Sequence, residues 1–239
     1  MRKTLKILAC VLFVAGCAAT ATHQMAPKAA PSQQPVSGRE FSRPTEKDVT
    51  LGQSTTAQIR ERFGDPMSQK KVTVTKATTS GAKSMYEAAP MDGTLTLYNY
   101  FLGQSQGASP NQAVGAKIAS FVFLDDKLYH YDFVSNFAQG GTAVDETKIK
   151  QLVRRKTTKA EVIALFGEPS GHAIYPMVLL PGTEKLIYLA LNIDAVHKEV
   201  EHKYLEILFD RSGTMVDYRF SSETDAMVPQ QVAQNAATP

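Results

Sequence analysis

Large apolar residues fall into short, separated runs, and two spacings recur among them. At Ile59 and Phe63, and again at Val162 and Phe166, they stand four apart, the spacing of one helix face. Each pair lies in a near-copy of one phrase. TTAQIRERFGDP occupies 55–66 and TKAEVIALFGEP occupies 158–169, 103 residues on, with five identities in twelve positions. Thr55 with Gln58 and Thr158 with Glu161 have the spacing of a capping box. Gly64 and Gly167 stand where a positive-φ residue ends a helix, and Pro66 and Pro169 prevent its resumption. The phrase predicts two helices of about two turns, too short to be stable alone, so each must pack its apolar face on something.

The packing partner is predicted downstream in both halves by runs of period two. Leu95, Leu97 and Phe101 alternate with Thr96, Tyr98 and Tyr100. IASFVFL (118–124) and LYHYDF (128–133) flank Asp125-Asp126-Lys127, a hairpin signal. In the second half EKLIYLALNI (184–193) precedes YLEILF (204–209) and TMVDYRF (214–220), the last two separated by Asp210-Arg211-Ser212-Gly213. Alternation places Tyr129, Tyr131 and Phe133 on one face against His130 and Asp132. Val216, Tyr218 and Phe220 stand likewise against Asp217 and Arg219. Asp145 can cap a further helix bearing Ile149, Leu152 and Val153. The first half has only Val49 and Leu51 at the corresponding place. The expected fold class is α+β: two tandem α-α-β-β-β units, at 48–137 and 145–221, each a small antiparallel sheet with short helices on one face. The polar stretches 76–93 and 103–115 read as loops.

The quoted phrases resemble the BamE/SmpA/OmlA family of bacterial lipoproteins and the β-lactamase-inhibitor-protein-like fold that family shares. Thr55, Ile59 and Phe63-Gly64-Asp65-Pro66 match its helix-and-stop motif, and Thr158, Val162 and Phe166-Gly167-Glu168-Pro169 match it again. Leu97-Tyr98-Asn99-Tyr100 and Leu186-Ile187-Tyr188-Leu189 match its aromatic strand. The family's Gly-Met before the threonine is replaced by Gln53-Ser54 and by Lys156-Thr157. Phe stands where Leu is usual, and two units stand where the enteric member has one. The matching positions are caps, stops and core residues, so the resemblance implies a fold and assigns no binding residues.

The N-terminal pattern addresses location. Arg2, Lys3 and Lys6 precede an apolar run from Leu8 to Val14, and small residues follow, the layout of a secretory signal. Val14-Ala15-Gly16-Cys17 resembles the bacterial lipobox, which implies lipid attachment at Cys17 and cleavage after residue 16. Residues 1–16 are then signal peptide, and 17–47 a lipidated linker punctuated by Pro27, Pro31, Pro35 and Pro44, too poor in large apolar groups to fold. Ala18 is not the aspartate that signals inner-membrane retention in enteric lipoproteins, so the expected location is the periplasmic face of the outer membrane. Residues 223–239 are similarly polar and read as a tail.

Cleavage changes the charge argument. The chain has 26 Lys and Arg against 23 Asp and Glu. Removing Arg2, Lys3 and Lys6 equalises them, and the basic excess that nucleic acid demands disappears. Arg154-Arg155-Lys156 is the densest basic run and fits a solvated helix end. Cys10 leaves with the signal and Cys17 carries the lipid, so no thiol remains for a disulfide, a nucleophile or a metal site.

His23, His130, His172, His197 and His202 are scattered, and no metalloprotease, nucleophile-elbow or P-loop motif is present. The expected protein is not an enzyme and takes neither cofactor nor small-molecule substrate. It is anchored to the membrane by its lipid and binds other envelope proteins, outer-membrane assembly machinery among them, as a scaffold or assembly factor. The alternative is an inhibitor-type module that docks a periplasmic or secreted enzyme.

Overall fold

A computed structural model describes residues 40–79, 84–105, 114–194 and 196–226. The signal segment, Cys17 and most of the stretches read as linker and tail lie outside the described residues. Helix α1 (Thr56–Phe63) leads to β1 (Ser68–Val74), a one-turn α2 (Lys76–Thr79), then β2 (Gly93–Ser105), β3 (Val114–Leu124) and β4 (Lys127–Ser135). A 3₁₀ helix (Glu146–Gln151) precedes α3 (Lys159–Phe166), β5 (Gly171–Ile174), β6 (Glu184–Asp194), β7 (Glu199–Phe209) and β8 (Met215–Ala226).

The eight strands form one sheet in sequence order, every neighbouring pair antiparallel. This overturns the expectation of two tandem α-α-β-β-β units with separate sheets. The cause is β5. Its four residues pair with β4 through His130–Ala173, Tyr131–His172 and Asp132–Gly171, and with β6 from Gly171–Ile187 to Ile174–Glu184. A stretch of Gly, His, Ala and Ile this short has no readable alternation. β1 escapes the sequence reading for another reason: as an edge strand it is exposed along nearly its whole length and shows no apolar face. Helix content also differs. Val49 is buried and Leu51 partly so, but they lie between and within turns and not on a helix, and Asp145 caps a 3₁₀ helix. The stretch read as a loop at 76–93 contains α2, and β2 and β3 run into both ends of 103–115. Phe41, within the stretch read as linker, is buried in the core.

Local signals in the repeated phrase do operate. Both capping boxes form: Thr55 and Thr158 accept from the Gln58 and Glu161 amides, while Gln58 and Glu161 accept from the threonine amides. Gly64 (φ 84°, ψ −167°) and Gly167 (φ 79°, ψ −165°) end the helices in a region open essentially to glycine alone. The Tyr100 hydroxyl donates to the Gly64 carbonyl at 2.9 Å, and the Tyr188 hydroxyl to the Gly167 carbonyl at 3.1 Å. Each helix is thereby pinned at its C-terminus to a strand facing it.

α1 and α3 lie on the same side of the sheet. Ile59 and Phe63 pack with Tyr100, Phe121, Tyr131 and Phe133 in one cluster, and Val162 packs with Leu186, Tyr188, Leu205 and Ile207 in another. Phe166 meets the Tyr188 ring at a tilt of 49° with ring centres 5.5 Å apart but is only partly buried, unlike Phe63. Register shifts between Val122 and Phe123, and between Leu208 and Phe209, alter the predicted alternation twice. Each leaves one residue, Tyr129 or Val216, unpaired in the ladder. Tyr131 and Phe133 face the helices as expected, as do Tyr218 and Phe220. Val216 instead packs with Leu208 and Ala173, the opposite side.

Candidate interaction face

The register assigns the side of the sheet opposite the helices. One cross-strand row there contains Val122, His130, Ala173, Lys185, Leu208 and Asp217, and the next contains Asp132, Ile187, Glu206 and Arg219. Part of this face is covered. Tyr86 packs with Ala173, Val178 and Leu208, and partly buried Met85 and Met177 adjoin them. The Ala89 amide donates to the Pro176 carbonyl at 2.8 Å, and the Leu179 amide to the Met85 carbonyl at 3.3 Å.

Charges buried under this cover hold it in place. The Lys185 ammonium, nearly sequestered, donates to Glu206 at 2.7 Å and to the Tyr86 carbonyl at 3.2 Å. Arg219 also bonds Glu206, and its guanidinium sits 4.6 Å from the Tyr86 ring centre. Burial alone would push Glu206 up; Arg219 and Lys185 outweigh it and hold the carboxyl below its ordinary range. Removing Glu206 would leave the buried Lys185 ammonium without a counter-charge, so the pair is a strong tie for the covering segment.

Farther along the strands an apolar row, bordered by Asn99, Ser120 and Asp132, has no helix over it among the described residues. Phe101, Ile118 and Val134 make one row on β2, β3 and β4, and Leu189 and Tyr204 make its counterpart on β6 and β7. The first three are half-buried, Leu189 is buried, and Tyr204 is 42% exposed. Sequence reasoning saw these strands but assigned neither face to binding. The missed signal is that Leu97, Phe101 and Ile118 are apolar on the side away from the tyrosines, so β2 and β3 are apolar on both faces.

The helix side has a polar joint where the two clusters meet. His172, buried at the centre of the sheet, shares Glu184 with Lys159, at 2.7 Å and 2.9 Å. Burial works against the Glu184 charge, but His172 and Lys159 outweigh it and hold the carboxyl down at about 2. Beside it Arg43, Glu46, Lys159 and Glu168 rim a cleft of about 180 Å³ floored by Tyr131 and Leu186. Arg43 donates to the Glu168 carbonyl at 3.3 Å. These groups are engaged with one another, an arrangement that ties segments together.

The remaining histidines are dispersed. His130 meets Asp132 at 2.8 Å, His197 meets Asp194 at 2.7 Å in the β6–β7 turn, and His202 stacks on Tyr204. His23 and the expected lipid site, Cys17, lie outside the described residues.

No protein-family model and no curated protein matches the chain. The resemblance to the BamE/SmpA/OmlA family therefore rests on the quoted motifs. Among solved structures, the chain is similar to a Streptococcus mutans protein provisionally designated a beta-lactamase inhibitor protein. The identity is 12%, the match covers 75% of this chain and 90% of that one, and the TM-score is 0.36. A likeness at that level carries no argument about function.

Proposed function

We propose that the chain is a non-enzymatic protein-binding module, tethered through Cys17 to the periplasmic face of the outer membrane, that docks other envelope proteins as a scaffold or assembly factor. The carrying observation is the apolar row on the sheet face away from the helices. Phe101, Ile118, Val134 and Tyr204 keep accessible surface there although the opposite face already supplies the core. An apolar row left accessible on the second face of a sheet is the feature of an interaction surface. The VAGC sequence at 14–17 supports the tether.

Affinity capture from solubilised membranes tests this reading. The wild-type chain should retain a membrane-derived assembly, and a chain with Ile118→Lys and Tyr204→Ala should fold but lose it. Retention by the double variant would remove the face from the proposal. Capture of one soluble hydrolase would move the reading to an inhibitor-type module.

A further inference from the structure

The two edges of the sheet carry opposite charge. β1 is exposed from Ser68 to Thr73, and no backbone hydrogen bond from the described residues reaches its outer side. It carries Lys70 and Lys71, neither of which has an ion-pair partner among the described residues. On β8 the outer side is occupied only at the start, where Arg155 donates to the Met215 carbonyl, the Met215 amide to Thr157, and Arg154 to the Tyr218 carbonyl. From Ser221 to Ala226 the strand is exposed, and it carries Glu223 and Asp225. The sheet thus ends in a basic strand on one side and an acidic strand on the other.

We propose that β1 of one copy of this chain pairs with β8 of a second copy, extending the sheet from molecule to molecule. This goes beyond the face-docking reading and rests on different residues. An open strand edge is a template for another strand, and lysines on it normally deter that pairing. Here they deter only one partner. β1 against β1 would set Lys against Lys, and β8 against β8 would set Glu and Asp against each other. β1 against β8 is the combination that joins unlike charges. Topology agrees: in eight strands alternating in direction, β8 runs opposite to β1. A copy displaced along the sheet therefore presents β8 antiparallel to β1.

The faces and the charges together select a register. Lys70 pairs with Leu97, on the side away from the helices, and Glu223 pairs with His202, on that same side. Setting Lys70 opposite Glu223 matches every face along 68–74 against 225–219. Ser68 then lies opposite Asp225, one diagonal from Lys70, and Val72 lies opposite Ser221. The contact is head-to-tail and uses different surfaces on the two copies, so it generates chains or a ring, not a closed two-fold dimer.

Sedimentation velocity of the full chain in mild detergent tests this. Association should grow with protein concentration and weaken as salt rises through the range where the Debye length falls to about 8 Å and below. Lys70→Glu or Glu223→Lys alone should raise the dissociation constant by about tenfold or more, since each sets like charges opposite one another. Lys70→Gln should weaken association less. Mixing the two reversed charges in one chain, Lys70→Glu with Glu223→Lys, should restore it. Unchanged circular-dichroism melts would certify that each variant is folded; these exposed positions leave the core untouched. A monomer at every concentration, single variants that associate like wild type, or a double variant no better than either single overturns the proposal. Association through an apolar leader would persist in all variants and so counts against it as well.

Discussion

An alanine Cβ at position 171 would lie 2.5 Å from the Tyr131 carbonyl oxygen and 2.8 Å from the Asp132 Cα, both backbone of the facing strand. Neither can swing away as a side-chain tip would, so β4 and β5 must separate. Gly171→Ala should cost about 1–3 kcal/mol, the range for overpacking, and urea denaturation would show it as a lowered midpoint. Gly167 is restricted differently. Apart from its own chain neighbours, nothing lies within 4 Å of a Cβ added there, but φ is +79°. Gly167→Ala should also cost about 1–3 kcal/mol, through backbone conformation alone. The two phenylalanines separate by burial: Phe63→Ala should cost about 3–5 kcal/mol, the range for a buried aromatic, and the partly buried Phe166→Ala should cost less. Equal losses at 63 and 166 in paired denaturation curves would contradict this ranking.

Elements were legible where a local mechanism specified them. The capping boxes, glycine stops, hairpin turns and six of the eight strands could be read from residue type and spacing. The joint could not. β5 is four residues long, and what makes it a strand is the free edges of β4 and β6, information held far along the chain. The proposed binding face was half legible: its apolar residues were visible, but the bulges at Val122–Phe123 and Leu208–Phe209, which take Tyr129 and Val216 out of the predicted alternation, were not. The joint also predicts acid behaviour. Glu184 falls from its ordinary 4.5 to about 2 on folding, because His172 and Lys159 outweigh its burial. A carboxyl held lower in the folded chain contributes stability above its unfolded value and loses it as pH falls toward the folded value. Stability should therefore drop between about pH 5 and pH 2, with this group contributing about 3 kcal/mol at most, given 1.36 kcal/mol per unit. Glu184→Gln should lower stability near neutrality and flatten that part of the pH profile. An unchanged profile from urea titrations at successive pH values would refute the assignment.

For the whole molecule, the proposed membrane tether must be traced to a physical anchor. No helix among the described residues is long and apolar enough to cross one. The run from Leu8 to Val14 has seven residues, against about 20 for a spanning helix. If the membrane link is covalent lipid, it depends on a single sulfur atom, that of Cys17, and on the small residues before it. Cys17→Ser keeps the size and polarity of the site nearly unchanged but removes the thiol that accepts the acyl group. The leader should then stay uncut or the protein should appear in the soluble fraction, and metabolic fatty-acid labelling should vanish. The folded sheet is remote in sequence from this change, so thermal melting of the region from residue 40 onward should not move. Normal processing together with unchanged membrane fractionation in the Cys17→Ser protein would end the lipid-anchor reading, leaving the sheet to account for membrane association by itself.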